Sequence, residues 1–221
     1  MTGMLRELSP LDRLLSLIDQ GLKAGLGPRG AVAATGRPSP AAGRPDSGPT
    51  PGSAAARHAA GLMRVNHAGE VAAQALYHGQ ALVARDPAVR DFLLAAAREE
   101  GDHLNWCRER LESLGSRPSH LDPLWYVGSL GIGALAGLAG DRLSLAFITE
   151  TERQVEGHLE EHLARLPPED AASRAVLEQM QRDEVEHGER ARARGGAELA
   201  APVRRLMRLT ARLMTTSAYW I

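Results

Sequence analysis

The chain has one cysteine, Cys107, in 221 residues. A single thiol excludes an internal disulfide and any zinc or iron–sulfur site built from cysteines, so its chemistry must rest on other side chains. Aromatic residues are few, with two Phe, three Trp and three Tyr, and β-branched stretches are short. Long segments rich in Ala, Leu, Arg and Glu stand in their place, which favours helix over strand and predicts an all-α fold. Net charge is scarce too: 26 basic residues face 27 acidic ones, leaving −1, and Lys23 is the only lysine. No overall field draws the chain to nucleic acid, and no nucleic-acid partner is expected. The N-terminus lacks an apolar signal core, because Arg6, Asp12, Arg13 and Asp19 interrupt it, so export is not expected. The longest uncharged run, residues 123–140, carries five glycines and falls short of the roughly 20 residues that a spanning helix needs. It suits a buried or membrane-surface segment.

The residues that are present divide the chain into three parts. Residues 1–26 contain a short amphipathic helix, with Ser9 as N-cap, Pro10 at the first helical position and Leu11, Leu14, Leu15, Ile18 and Leu22 on one side. Residues 27–54 hold six glycines and six prolines between positions 27 and 52 and few large apolar side chains, which predicts a flexible linker. Residues 55–221 form the main domain. Capping signals predict four long helices: 55–84, then one started by Asp86-Pro87 and ending near Leu114-Gly115. A third is capped by Asp141 and stopped by Pro167-Pro168, and a fourth runs to Gly195-Gly196. A last helix is expected over 198–216.

Each long helix has an apolar stripe, and a carboxylate interrupts each stripe. The stripes read Leu62, Asn66, Glu70, Ala73, Tyr77; then Leu93, Ala97, Glu100, Leu104, Cys107, Leu111. The third and fourth read Leu145, Ile148, Glu152, Val155, Leu159, Leu163, and Leu177, Met180, Glu184, His187, Ala191. A carboxylate on a buried face is costly unless something neutralises it. His103 lies three residues after Glu100 and His187 three after Glu184, which puts each histidine beside its glutamate on one face.

The order Glu, Glu-x-x-His, long connection, Glu, Glu-x-x-His predicts two similar hairpins packed face to face. It is the ligand set of ferritin-like di-metal four-helix bundles with one long crossover. Four carboxylates balance two divalent irons, carboxylate oxygens bridge two metals, and each imidazole adds a nitrogen. The expected fold is therefore a ferritin-like bundle with additional N-terminal, crossover and C-terminal helical segments. Glu70, Glu100, His103, Glu152, Glu184 and His187 are its predicted metal ligands and catalytic residues.

Neighbouring residues compete for some of these roles. Glu150 sits two residues off the stripe and is expected to be solvated. His67 is expected to be structural or to support a ligand, and His158 either bonds a ligand carboxylate or packs at a helix boundary. Cys107 reads as a small core residue, and His58, His78, His120 and His162 receive no role.

Several stretches resemble the demethoxyubiquinone hydroxylase family in its bacterial form. They are Arg64-Val65-Asn66-His67-Ala68-Gly69-Glu70, Glu100-Gly101-Asp102-His103-Leu104, Glu150-Thr151-Glu152 and Asp183-Glu184-Val185-Glu186-His187. The likeness covers roughly residues 55–221, and Leu8-Ser9-Pro10-Leu11-Asp12-Arg13 and the Tyr219-Trp220-Ile221 ending share it. The resemblance places six iron ligands on the same six residues, with Glu100 and Glu184 as bridges. It implies a di-iron monooxygenase hydroxylating the ring of a polyprenylated demethoxyubiquinol in ubiquinone biosynthesis, with O2 as oxidant and NADH as electron donor. It also implies a peripheral place on the cytoplasmic face of the bacterial cell membrane, beside other ubiquinone-biosynthesis proteins. No Rossmann fingerprint is present for NADH. The competing reading is a ferroxidase of the same fold. Two features weigh against it: the apolar 123–140 run, and a final helix with Arg204, Arg205, Arg208 and Arg212 opposite Val203, Leu206, Leu209 and Leu213.

Overall fold

The computed structural model describes residues 10–28, 30–43 and 48–221. Among them are seven helices and no strand: α1 (Pro10–Leu26), α2 (Ala54–Val83), α3 (Pro87–Ser113), α4 (Asp122–Leu138), α5 (Asp141–Arg165), α6 (Ala171–Ala193) and α7 (Ala201–Trp220). Side-chain caps set three of the starts. Ser53 caps α2 by accepting from Ala56 N, Asp86 caps α3 by accepting from Ala88 N with Pro87 following it, and Asp170 caps α6 by accepting from Ser173 N. Ser9, the expected cap of α1, lies outside the described residues. Helix α5 departs from expectation, because its cap is Gly140 at φ 110° and not Asp141. The Asp141 carboxylate instead accepts from the backbone N–H of Arg85 (3.1 Å) and Asp86 (2.8 Å), tying α5 to the turn between α2 and α3.

Helices α2, α3, α5 and α6 form the bundle, and their buried faces stack in three layers. At one end Tyr77, Phe92, Leu93, Leu145, Ile148 and Ala191 pack together. At the other end Leu62, Met63, Trp106, Cys107, Leu111, Leu159, Leu177 and Met180 do the same. Between these apolar layers every helix of the bundle contributes its stripe carboxylate, so the polar groups form one sealed slab. Gln74 Nε2 donates to Ala97 O and Gln80 Nε2 to Ser144 O, both at 2.9 Å, fixing α2 against α3 and α5.

The crossover helix α4 lies against the outside of α2 at very close range. A Cβ on Gly79 would stand 2.2 Å from Leu130 O, and one on Gly133 would stand 2.3 Å from Leu76 O. Only glycine permits this approach. The opposite face of α4 is apolar and exposed, with Leu124, Val127, Leu135 and Leu138 each more than half accessible. Helix α7 rests on α2 near its C-terminal end through Ala218 and Tyr219, while Leu206, Leu209 and Leu213 are exposed. None of the described helices is long and apolar enough to cross a membrane.

Where composition predicts a flexible linker over 27–54, the described residues of that segment are bound along α3. Arg108 donates to the carbonyls of Ala24, Gly27 and Pro28, and Asn105 Oδ1 accepts from Gly30 N. Asp102 accepts from the backbone of Gly36 and Arg37, and Ala41 packs against the lower apolar layer. Such a segment has little apolar surface to bury. It is held by hydrogen bonds to polar side chains of α3, which a composition argument does not see.

Candidate metal centre

The middle layer brings all six predicted residues together. Glu70, Glu100, His103 and Glu184 place one ligand atom each within 4.8 Å of one another, and Glu100, Glu152, Glu184 and His187 form a second such set. Glu100 and Glu184 belong to both sets, so each could serve two ions at once. Each of the six is no more than 2 % exposed. A surface cleft of about 420 Å³ lined by Arg57, His58, Arg64 and Tyr219 includes none of them.

Apart from His103 Nδ1 and Glu70 Oε2, which meet at 3.4 Å, the donor atoms converge without aligned hydrogen bonds to one another. Among the described residues, both carboxylate oxygens of Glu100 and of Glu184, Oε2 of Glu152 and Nδ1 of His187 are buried without an aligned hydrogen-bond partner. His103 Nδ1 stands 3.0 Å from Glu100 and 3.2 Å from Glu184, and His187 Nδ1 stands 3.1 Å from Glu100 and 3.4 Å from Glu184. Orphaned buried carboxylate oxygens are expensive, and a hard or borderline divalent cation satisfies several at once. The donor set therefore fits two metal ions.

Protonation reflects the same crowding. Burial raises the carboxyl groups of Glu70 and Glu152 well above the usual carboxylate range, and the charges of Glu100 and Glu184 push the same way. Burial also acts to raise Glu100 and Glu184, but the two histidines beside them prevail and both are lowered. Burial opposes charge on His103 and His187, yet surrounding carboxylates raise both. By themselves, then, these side chains neutralise the slab with protons at positions where cations would otherwise sit.

Sequence reasoning missed the groups that hold the two imidazoles in place. His103 Nε2 is 2.9 Å from Asp183 Oδ2, and His187 Nε2 is 2.7 Å from Glu99 Oε2. Each carboxylate takes the outer nitrogen and turns Nδ1 toward the cluster, the usual way a histidine ligand is oriented. Glu99 is pulled to about 2: burial acts to raise it, but His187 and Arg190 outweigh that. The signal was readable, because an acidic residue directly precedes each glutamate of the two Glu-x-x-His pairs. Tyr77 of α2, read only as part of a stripe, donates its hydroxyl to Glu152 Oε1.

The competing residues separate clearly. Glu150, expected to be solvated, is 5 % exposed, with Arg153 and Gln154 bonded to it and Arg208 of α7 at 3.9 Å. It lies outside both four-donor sets because helix rotation turns it toward α7. His67 Nδ1 contacts Asp122 Oδ2 at 2.9 Å, which joins α2 to the start of α4. His158 packs its ring 3.9 Å from that of His162, and His162 Nδ1 contacts Asn66; neither belongs to the donor sets. Cys107 is fully buried beside Met180, and burial raises its thiol well above the ordinary value.

Known proteins align with this arrangement over most of the chain. A profile of the family described as ubiquinone biosynthesis protein COQ7 matches residues 57–218. A 3-demethoxyubiquinol 3-hydroxylase of Ralstonia pickettii is 53 % identical over 220 residues, covering 96 % of this chain and 100 % of the relative. The protein of that name from Cupriavidus necator is 65 % identical over 165 residues, 75 % of this chain and 80 % of its own. One from Burkholderia cenocepacia is 52 % identical over 212 residues, 96 % of this chain and 99 % of its own. With nearly full-length relatives above half identity and a profile spanning all four bundle helices, the chain belongs to the family of ubiquinone biosynthesis protein COQ7.

Proposed function

We propose that this chain is a 3-demethoxyubiquinol 3-hydroxylase, a di-iron monooxygenase that adds one hydroxyl group to the ring of a polyprenylated demethoxyubiquinol. The observation that carries the reading is the pair of four-donor sets sharing Glu100 and Glu184 in a sealed slab. Glu70 and His103 would hold one iron, Glu152 and His187 the other, and Glu100 and Glu184 both. Iron bound there supplies activation of O2, with NADH as the source of electrons. The protein's own groups do the rest. Asp183 and Glu99 fix the two imidazoles, the Tyr77 hydroxyl holds one oxygen of Glu152, and the apolar layers on either side shield the cluster from water.

The substrate's tail calls for a lipid surface. Exposed apolar faces on α1 (Leu15, Ile18, Leu22), α4 and α7, with Arg205, Arg208 and Arg212 exposed on α7, support peripheral attachment to the cytoplasmic face of the membrane. The test is a reaction of iron-loaded protein with a demethoxyubiquinol analogue, O2 and a reductant. Mass spectrometry should find the ring heavier by one oxygen. If the quinol is recovered unchanged while oxygen is consumed in proportion to added Fe²⁺, the ferroxidase reading replaces this one.

A further inference from the structure

Both histidines of the cluster end in the same three-part chain. His187 Nε2 meets Glu99 Oε2 at 2.7 Å, and Arg190 Nη2 meets that same oxygen at 2.7 Å. His103 Nε2 meets Asp183 Oδ2 at 2.9 Å, and Arg37 Nη2 stands 2.9 Å from that oxygen, an ion pair without the alignment of a hydrogen bond. The bundle's internal repeat explains the histidines and the carboxylates, but it explains only one of the arginines. Arg190 stands three residues after His187, whereas the position three residues after His103 is Trp106. On that side the guanidinium comes from outside the bundle.

Trp106 supports the arginine that it does not itself supply. Its indole Nε1 donates to Arg37 O at 3.1 Å, and the Arg37 guanidinium lies over its ring, 4.9 Å from the centroid. Asp102, 1 % exposed, anchors the same segment by accepting from Gly36 N (2.8 Å), Arg37 N (3.2 Å), Arg37 Nε (3.1 Å) and the Thr35 hydroxyl. At Gly101 a Cβ would lie 2.1 Å from Ala33 O, so the segment rests directly on the backbone of α3. Residues 33–37 are thus a fitted strap, lying outside the span matched by the family profile.

We propose that Arg37 is a positioning residue of the metal centre: it holds Asp183, and through it His103, as Arg190 holds Glu99 and His187. The proposal rests on the six-ligand reading and extends it by making the strap part of one half-site. A guanidinium suits this place because its fork reaches Asp102 through Nε and Asp183 through Nη2 at the same time. Without it Asp183 keeps, among the described residues, only Gln179 as a further partner, and the His103 ring is held less firmly.

The experiment is a Co²⁺ titration of the metal-free, full-length protein, followed by visible absorption, with helical content checked by circular dichroism. Wild type should take up two Co²⁺ per chain. Arg37→Gln should weaken one of them by about tenfold or more and leave the other within about twofold, in the range known for groups that orient metal ligands. Arg190→Gln should weaken one site as well, and the double variant both. Two unaltered sites in folded Arg37→Gln would overturn the proposal while the six-ligand reading stands. Equal weakening of both sites would also overturn it, because it would mark a general loosening. Fewer than two sites in wild type would overturn both. Should Arg37→Gln fail to fold, Arg37→Lys keeps the charge without the fork; a selective loss of about threefold at one site supports the proposal, and none refutes it.

Discussion

Four carboxylates and two imidazoles in one buried layer are a liability that charge balance removes. Divalent ions held there would do so by displacing protons from Glu70, Glu152, His103 and His187, whose pKa values are all raised. Metal binding should therefore release protons, and affinity should rise with pH by about tenfold per unit for each proton released. The metal-free protein should respond the other way. A raised pKa contributes stability below the unfolded value and loses it as pH climbs, so melting without metal should worsen between pH 6 and pH 8 through the two histidines. Calorimetry with and without Co²⁺ checks both signs; parallel trends would contradict the assignment. Glu184→Ala, His187→Ala and Glu152→Ala should each lose most of the iron measured by elemental analysis, whereas Glu150→Ala should retain it. The meeting of these six residues in one buried layer was legible in the sequence because a charge on an apolar stripe is conspicuous. Glu99 and Asp183 were less so, since each lies beside a donor and its partner is on another helix.

Helix contacts decide which substitutions the scaffold tolerates. Gly133→Ala would gain about 0.5–1 kcal/mol of helix preference, but the new methyl would stand 2.3 Å from Leu76 O, and neither helix backbone yields easily. Overpacking costs of about 1–3 kcal/mol outweigh the gain, so the variant should melt at a lower temperature. Leu111→Ala, deep in the lower layer, should cost about 2–5 kcal/mol. Helix α7 should behave differently, because Leu206, Leu209 and Leu213 are exposed. Changing all three to Ser should leave melting nearly unchanged and weaken sedimentation with anionic liposomes. Unaltered sedimentation would remove α7 from the membrane contact. Element boundaries were mostly legible from caps and prolines. The role of Asp141 was not, because its carboxylate serves a turn 55 residues away, and neither was the strap, whose bonds come from α3.

At the scale of the whole molecule, a slab able to hold two metals lies inside a bundle whose outer helices expose apolar faces. That combination suits a greasy organic substrate better than free iron, and membership of the COQ7 family points to the same class. The fold class was legible because the ligand order itself specifies two facing hairpins joined by a crossover. The packing of α4 on α2 was not, since a glycine-rich apolar run fits a helix surface and a lipid surface equally well. The central claim is that this centre transfers oxygen from O2 to a quinol ring. The most direct measurement is incubation of iron-loaded protein with a demethoxyubiquinone analogue, NADH and ¹⁸O₂ in ordinary water. One ¹⁸O atom is expected on the ring, and no product with Glu70→Ala. A hydroxylated ring without label, or labelled product from the Glu70→Ala protein, would contradict it.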